Sequence, residues 1–413
     1  MKTEASDHPA LNDLQPPALP SLLHLRTLVR VADHGSLARA ARKMLRAPSV
    51  VNDGITDLEQ ALNVPLFERT PQGMRITVYG RVVLLRARRI LAELAALPAI
   101  LGQPPVSVHE QLYLLNARRL EIFVRLCETQ HMRSVAAAMG LSQPAISGAV
   151  KAMEAGTAKP LFDRRAKGMQ PTQVALDILL PIRRALNELR QIPSDLSALS
   201  GALSGKVKIG ALPLGRTRIV PQAIAQLLSR HPLIQVETSE SNFEQMVSDL
   251  RGGDLDFIFG ALRPDEEFHD LLGEALLDEE LVILIRPGHR LDLEQVQLAD
   301  LAEERWILPR SNSPARMLVE KLFTSHGLAA PRPRVETGDM TIIRGLLAVT
   351  DCLAVVSAHQ FEREIGAGEL KALPLDMSQT LRPIGIISRA NSLHSPAAQA
   401  LIAALREVAR TSS

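Results

Sequence analysis

Val64-Pro65-Leu66-Phe67-Glu68-Arg69 returns, 95 positions further along the chain, as Lys159-Pro160-Leu161-Phe162-Asp163-Arg164. The same offset carries Leu58-Glu59 onto Met153-Glu154, Gly73-Met74 onto Gly168-Met169, Thr77 onto Thr172 and Ala41 onto Ala136. One gapless offset that satisfies so many positions marks a duplicated module. The copies span about 22–97 and 117–192, and the Pro- and Gly-bearing segment Leu101-Gly-Gln-Pro-Pro-Val-Ser-Val-His109 between them reads as a linker.

Each copy has one coarse pattern. A first helix carries apolar residues at helical spacing: Leu25, Leu28, Val29 and Ala32 in the first copy, Leu120, Phe123, Val124 and Cys127 in the second. Small residues follow, Ala38, Ala40 and Ala41 against Val135 to Ala138, and let a second helix lie close to a third. In copy two the third helix starts at Ser142-Gln143-Pro144, where Ser142 can cap it and Pro144 suits its first turn. Arg164-Arg165-Ala-Lys167-Gly168-Met-Gln-Pro-Thr172 then reads as a basic β-turn wing, and a long helical pattern closes each copy. Pro181 falls inside the second of these helices and is expected to kink or interrupt it.

The bulk composition agrees with a chain of several domains. At 413 residues the chain has room for two to four. With 46% apolar residues but 3% aromatics, its cores must be built from Leu, Ala, Val and Ile. No continuous apolar run is long enough to span a bilayer. The polar, Pro-rich stretch Met1–Pro20 lacks a signal-peptide core, so residues 1–21 are expected to be a disordered tail and the protein cytoplasmic. Cys127 and Cys352 offer neither a disulfide framework nor zinc spacing. Charge is uneven. Residues 1–200 hold 25 Lys/Arg against 17 Asp/Glu, and residues 201–413 hold 22 against 28, as expected when a polyanion-binding half is joined to a ligand-binding half.

Leu141-Ser-Gln-Pro-Ala-Ile-Ser147, followed by Met153-Glu154 and Leu161-Phe162-Asp163-Arg164, resembles the recognition helix and wing of LysR-type transcriptional regulators. So does Gly35-Ser-Leu-Ala-Arg-Ala-Ala41 with Leu58-Glu59 and Pro65-Leu-Phe-Glu-Arg69. Members of that family usually carry one such unit, whereas this chain carries two. The resemblance implies winged helix-turn-helix units at 22–78 and 117–173, linker helices at 79–98 and 174–200, and a connecting linker at 99–116. It further implies a homo-oligomer, dimer or tetramer, that binds double-stranded DNA and contacts RNA polymerase. Family linker helices pair two chains. Two in one chain could pair with each other instead, and sequence does not choose between these.

A recognition helix offers its N-terminal side chains to base edges in the major groove. In copy two these are Ser142, Gln143, Pro144, Ala145 and Ser147. Gln143 can pair with adenine and Pro144 or Ala145 can touch a thymine methyl, while Lys151, Arg164 and Lys167 suit phosphates. Gly148 stands where the family often has a basic residue. Copy one departs further in Ala47-Pro-Ser-Val-Val-Asn-Asp-Gly54, with Pro48 for the glutamine and Asp53 at the basic position. Copy two is therefore expected to read bases, and copy one to contribute Asn52, Arg69 and Arg75 as supporting contacts or to serve as a pairing scaffold.

From Gly205 the pattern becomes alternating strands and helices, which argues for α/β architecture. Strands are expected at Val207–Ala211, Ile234–Thr238, Leu255–Gly260, Leu281–Ile285, Trp306–Pro309, Arg334–Thr337, Leu353–Val356 and Pro383–Ile387. Helices are expected at about 217–230, 242–252, 314–326, 340–349 and 396–411. Lys206-Val-Lys-Ile-Gly-Ala211, Leu233–Glu237 and Gly253–Gly260 resemble the family's effector domain, which implies a two-lobed, periplasmic-binding-protein-like fold over 205–413. Lobe one is placed at 205–280 with 381–413, and lobe two at 281–380. Ligands of such sheets sit at carboxyl ends of strands and at helix N-termini. The candidate lining is Pro213, Leu214, Gly215, Arg216, Ser241, Asn242, Ser311, Asn312, Ser313, Thr337, Gly338 and Ser357, with Asp339 read as a helix cap. Arg216 suits a ligand carboxylate, and a small aromatic or sugar-derived acid is the family-typical effector.

No metal spacing, phosphate loop or nucleophile elbow supports an enzyme, and no cofactor or membrane partner is expected. A solute-binding protein could use the second half alone, and a degraded regulator could use its helices as an interaction scaffold. The duplicated basic module argues against the first, while Gly148 and Asp53 keep the second open.

Overall fold

The computed structural model describes residues 19–71, 73–103, 111–165, 168–263 and 268–412. Residues 1–18 of the tail expected at 1–21, Lys167 and part of the connecting linker lie outside the described residues. Pro20 is buried and Ser21 caps the first helix, so the expected tail ends before them. The chain forms two compact units that divide between Ala202 and Leu203.

In the first unit, α1 (Leu22–His34), α2 (Leu37–Met44) and α3 (Pro48–Leu62) precede the hairpin β1 (Phe67–Thr70) and β2 (Gly73–Ile76), then α4 (Val78–Ala95) and a single turn α5 (Leu97–Ile100). The order repeats as α6 (Ala117–Thr129), α7 (Met132–Met139), α8 (Gln143–Thr157), β3 (Phe162–Arg165), β4 (Gly168–Pro171) and α9 (Gln173–Leu199). Core positions match through the same offset. Leu25, Leu28, Val31, Ala41, Val51, Ile55, Leu58 and Leu66 are buried, and so are Leu120, Phe123, Leu126, Ala136, Ile146, Val150, Met153 and Leu161.

The polar clamps are duplicated too. Glu59 Oε1 accepts from the backbone N–H groups of Leu66 and Phe67 at 2.7 and 3.1 Å. Glu154 Oε1 does the same for Leu161 and Phe162 at 2.9 and 3.4 Å. Thr77 and Thr172 cap the following helix through Gly80 and Ala175. Each hairpin is tied to the end of the first helix, Met74 N donating to Gly35 O and Met169 N to Gln130 O at 3.1 and 2.8 Å. That approach explains the glycines. Gly73 (φ +130) and Gly168 (φ +123) sit where a Cβ would meet those carbonyl oxygens at 2.4 and 2.5 Å.

Helix α9 continues through Pro181 and Pro193, so the expected interruption does not occur. Helices α4 and α9 of the same chain pack on each other. Within the stretch read as a linker, Leu101, Leu114 and Leu115 are buried, so its described ends belong to the core.

The second unit holds two mixed five-stranded sheets. The first has strand order β6-β5-β7-β14-β8, from β5 (Gly205–Ala211), β6 (Ile234–Ser239), β7 (Phe257–Ala261), β8 (Leu271–Glu279) and β14 (Arg382–Arg389). The second has order β11-β10-β12-β9-β13, from β9 (Leu281–Ile285), β10 (Arg305–Leu308), β11 (Pro333–Glu336), β12 (Cys352–Ser357) and β13 (Lys371–Ala372). The chain crosses at Glu280 and returns before Arg382.

The short α10 (Pro213–Arg216) follows β5. Helices α11 (Ile219–Arg230) and α16 (Pro396–Ser412) share one apolar cluster with the first sheet, and α12 (Phe243–Gly252) shares another. Helix α13 (Pro314–Ser325) joins one cluster with the second sheet and α14 (Met340–Val349) the other. The short α15 (Glu362–Gly366) precedes β13. Strand β8 is absent from the sequence reading because it is a sheet edge. Its burial is confined to its two ends, which leaves no apolar alternation to read. Among the described residues no helix is long and apolar enough to cross a membrane, and no acidic, His or Cys group is arranged to hold a metal.

Candidate nucleic-acid interface and ligand cleft

Helix α8 divides cleanly into two faces. Ile146, Val150 and Met153 are buried against the module core. Ser142 caps the start, its Oγ accepting from Ala145 N at 3.4 Å, and Gln143, Pro144 and Ala145 stand exposed. Gln143, Ser147 and Lys151 are four apart and form one stripe along the helix. Ser147 is half-buried, Lys151 is exposed, and Arg164 is exposed on β3.

Copy one presents different chemistry on the same frame. Helix α3 starts at Ala47 without a side-chain cap. Arg69 Nη2 donates to Asn52 Oδ1 at 2.8 Å, so these two candidates engage each other. Arg75 lies opposite Glu68 across the hairpin, which offsets part of its charge.

The sequence reading missed a basic group around α2. Arg39, Arg42, Lys43 and Arg46 are all exposed, and the offset places Ser134, Ala137, Ala138 and Leu141 at the matching positions of copy two. Burial, then the charges of Arg46 and Arg30, push the pKa of the neighbouring Arg26 down. A charge count taken per helix, rather than per half-chain, would have found it.

In the second unit the ends of β5, β6, β10 and β12 carry the candidate ligand residues. Gly215 is buried, and an added Cβ would strike the Phe259 ring at 2.4 Å, so this glycine serves packing rather than ligand contact. Arg216 Nε donates to Ala211 O at 2.6 Å. Burial lowers the Arg216 pKa, opposed by the charges of Glu240 beyond β6 and Asp339 at the start of α14.

Ser241 Oγ lies 3.1 Å from Ser239 Oγ, and Asn242 caps α12 through Gln245 N at 2.8 Å. Ser313 caps α13 and Asp339 caps α14, the latter with Thr337 Oγ1 accepting from Asp339 N at 3.1 Å. Ser311 is exposed and Pro213, Leu214 and Gly338 are half-buried. Asn312 is committed to the other lobe. Its Nδ2 donates to Glu244 at 2.8 Å, and its backbone oxygen accepts from Arg263 at 3.3 Å.

Ser357 does not face a cleft. It is 1% exposed, donates to Glu279 Oε2 at 2.8 Å and accepts from Arg382 Nη2 at 2.9 Å, so it is part of a buried polar joint where the chain passes between the sheets. His359 Nδ1 completes the joint, 3.1 Å from Glu279 Oε1.

The family model for the bacterial regulatory helix-turn-helix protein, lysR family, matches residues 22–81 and again 117–176, and that for the LysR substrate binding domain matches residues 200–410. The chain is 51% identical to the HTH-type transcriptional regulator GalR of Pseudomonas putida, over 94% of this chain and 98% of GalR. It is 27% identical to the HTH-type transcriptional regulator GbpR of Azospirillum brasilense, over 72% of this chain and 87% of that one. In fold it is similar to full-length OxyR from Pseudomonas aeruginosa (TM-score 0.56, 22% identity, 71% of this chain and 94% of that chain). It is also similar to CbnR (TM-score 0.53, 20% identity, 71% and 99%). The chain therefore belongs to the LysR family of transcriptional regulators, with two helix-turn-helix modules ahead of one effector-binding domain.

Proposed function

We propose a division of labour between the two modules. Copy two reads base edges through Ser142, Gln143, Pro144, Ala145 and Ser147, with Lys151, Arg164 and Lys167 on phosphates. Copy one grips the backbone through Arg75 and the basic group of α2, where a helix-turn-helix places its first helix across the phosphates. The observation that carries this is the capped, exposed start of α8 against the uncapped α3, whose Asn52 is held by Arg69.

The effector is a small organic acid. Its carboxylate pairs with Arg216, the half-buried cation that follows β5, and the loops at Ser241-Asn242, Ser311–Ser313 and Thr337-Gly338 close around the rest. Aromatic and sugar-derived acids fit this description. The effector acts by binding one arrangement of the two lobes better than the other, which changes the regulator's DNA binding and its contact with RNA polymerase in a homo-oligomer. A mobility-shift assay on DNA upstream of the protein's own gene and its divergent neighbour, with excess competitor DNA, tests the first part. A competitor-resistant shift lost in Gln143→Ala supports it. A shift that survives Gln143→Ala and is lost in Asn52→Ala reverses the assignment.

A further inference from the structure

Helices α4 and α9 form an unlike pair joined by buried charges. Arg86 is 1% exposed. Its Nε and Nη2 donate to the two oxygens of Asp195 at 2.6 and 3.1 Å, and its Nη1 donates to Glu188 Oε2 at 2.5 Å. Arg89 Nε takes the other Glu188 oxygen at 2.7 Å. Burial opposes the Arg86 charge, but the two carboxylates outweigh it and hold the pKa above its ordinary value.

The offset of the duplication shows what like pairs would lack. Pro181 occupies the position of Arg86 in copy two, and Ile100 that of Asp195 in copy one. Two α9 helices from different chains would set Pro181 where the guanidinium stands, leaving Asp195 without it. Two α4 helices would offer Glu93 at the position of Glu188 but nothing at that of Asp195. The offset there falls on Ile100, beyond the end of α4, so Arg86 would lose the carboxylate that takes two of its bonds. A buried charge deprived of its partner is strongly destabilising, so either like pairing is disfavoured.

The described start of the connection between the copies lies against the second module. Gln103 Nε2 donates to Thr157 O at 2.9 Å and Lys159 Nζ to Leu101 O at 2.7 Å, so the chain leaving α5 is already docked on its own second module.

We infer that α4 and α9 pair within one chain, so that a single chain carries both recognition helices of one DNA site, and that this site consists of two unlike half-sites. The pairing stands on the geometry alone. The half-site statement rests on the proposed reading of DNA by copy two.

The test exchanges charges in cis and in trans. In the full chain, Arg86→Asp alone and Asp195→Arg alone should each lower Tm by about 5–10 °C. The double variant should recover most of that loss. Co-expressing the two single variants separates the cases. Pairing between chains would restore both contacts and raise Tm to that of the double variant, which would overturn the inference, whereas intrachain pairing leaves the mixture as unstable as its parts. Should the reversals fail to fold, the intact chain mixed with an isotope-labelled copy can be photo-crosslinked and the peptides read by mass spectrometry. Crosslinks between α4 and α9 that join one isotope only support the inference, and crosslinks that join both isotopes overturn it.

These readouts need no DNA and survive failure of the DNA reading. On DNA recovered by random-library selection, a hydroxyl-radical footprint should show two protected segments of different sequence, with only one weakened in Gln143→Ala. Two identical segments weakened equally would overturn the half-site statement.

Discussion

Arg69 and Asn52 are joined by a 2.8 Å hydrogen bond between the first hairpin and α3, while the matching positions of the second module hold Arg164 and the shorter Ser147. The same frame therefore presents a self-satisfied surface in one copy and an open one in the other. Gln143→Ala should cost about 1–3 kcal/mol in affinity for a selected site, and Asn52→Ala much less. Titration of both variants by mobility shift checks this, and equal losses would remove the distinction.

The basic group of α2 should show in salt dependence rather than in site preference. Replacing Arg42 or Arg46 by Ala should lower the slope of log K against log salt by about one phosphate contact each, for matched and mismatched DNA alike. Fluorescence anisotropy across a salt series measures it. An unchanged slope would place these cations away from DNA.

Gly168 owes its place to the approach of Gln130 O and to its positive φ. Gly168→Ala should cost about 1–3 kcal/mol of stability and loosen the wing. Thermal melting reads the first effect. Limited proteolysis at the hairpin reads the second.

Ser357 and Arg216 should behave oppositely. Ser357→Ala leaves Glu279 and Arg382 short of a partner in a buried site and should cost about 1–3 kcal/mol of stability. Arg216→Ala should leave Tm nearly unchanged but abolish the response to small acids, read by calorimetry with a panel of aromatic and sugar acids. A Ser357→Ala variant of unchanged Tm would return that residue to the ligand list.

Burial, then the neighbouring Glu128, pushes the Cys127 thiol up to about 12. At pH 8 the thiolate is almost absent in the folded chain, so a maleimide should label Cys127 only as fast as the module opens. Labelling at the rate of a free thiol would contradict the burial.

The duplication, the longer helices, the central strands and the apolar spacing of the first helices were legible in the chain because each is a local or periodic property. Leu25 and Leu120 declare themselves by spacing, and Ser142 by standing before Gln143-Pro144. The edge strand β8 was not legible, since an edge with little buried face carries no alternation.

The sequence by itself determined that there are two modules on one plan and one α/β sensor unit, because binary pattern and repeat offset are written residue by residue. Only the tertiary structure decided that Arg86 meets Asp195, that Asn52 is held by Arg69, and that Ser357 is buried beside Glu279. Such contacts join residues far apart in the chain. Their energy comes from burying charged and polar groups together, which no local pattern records.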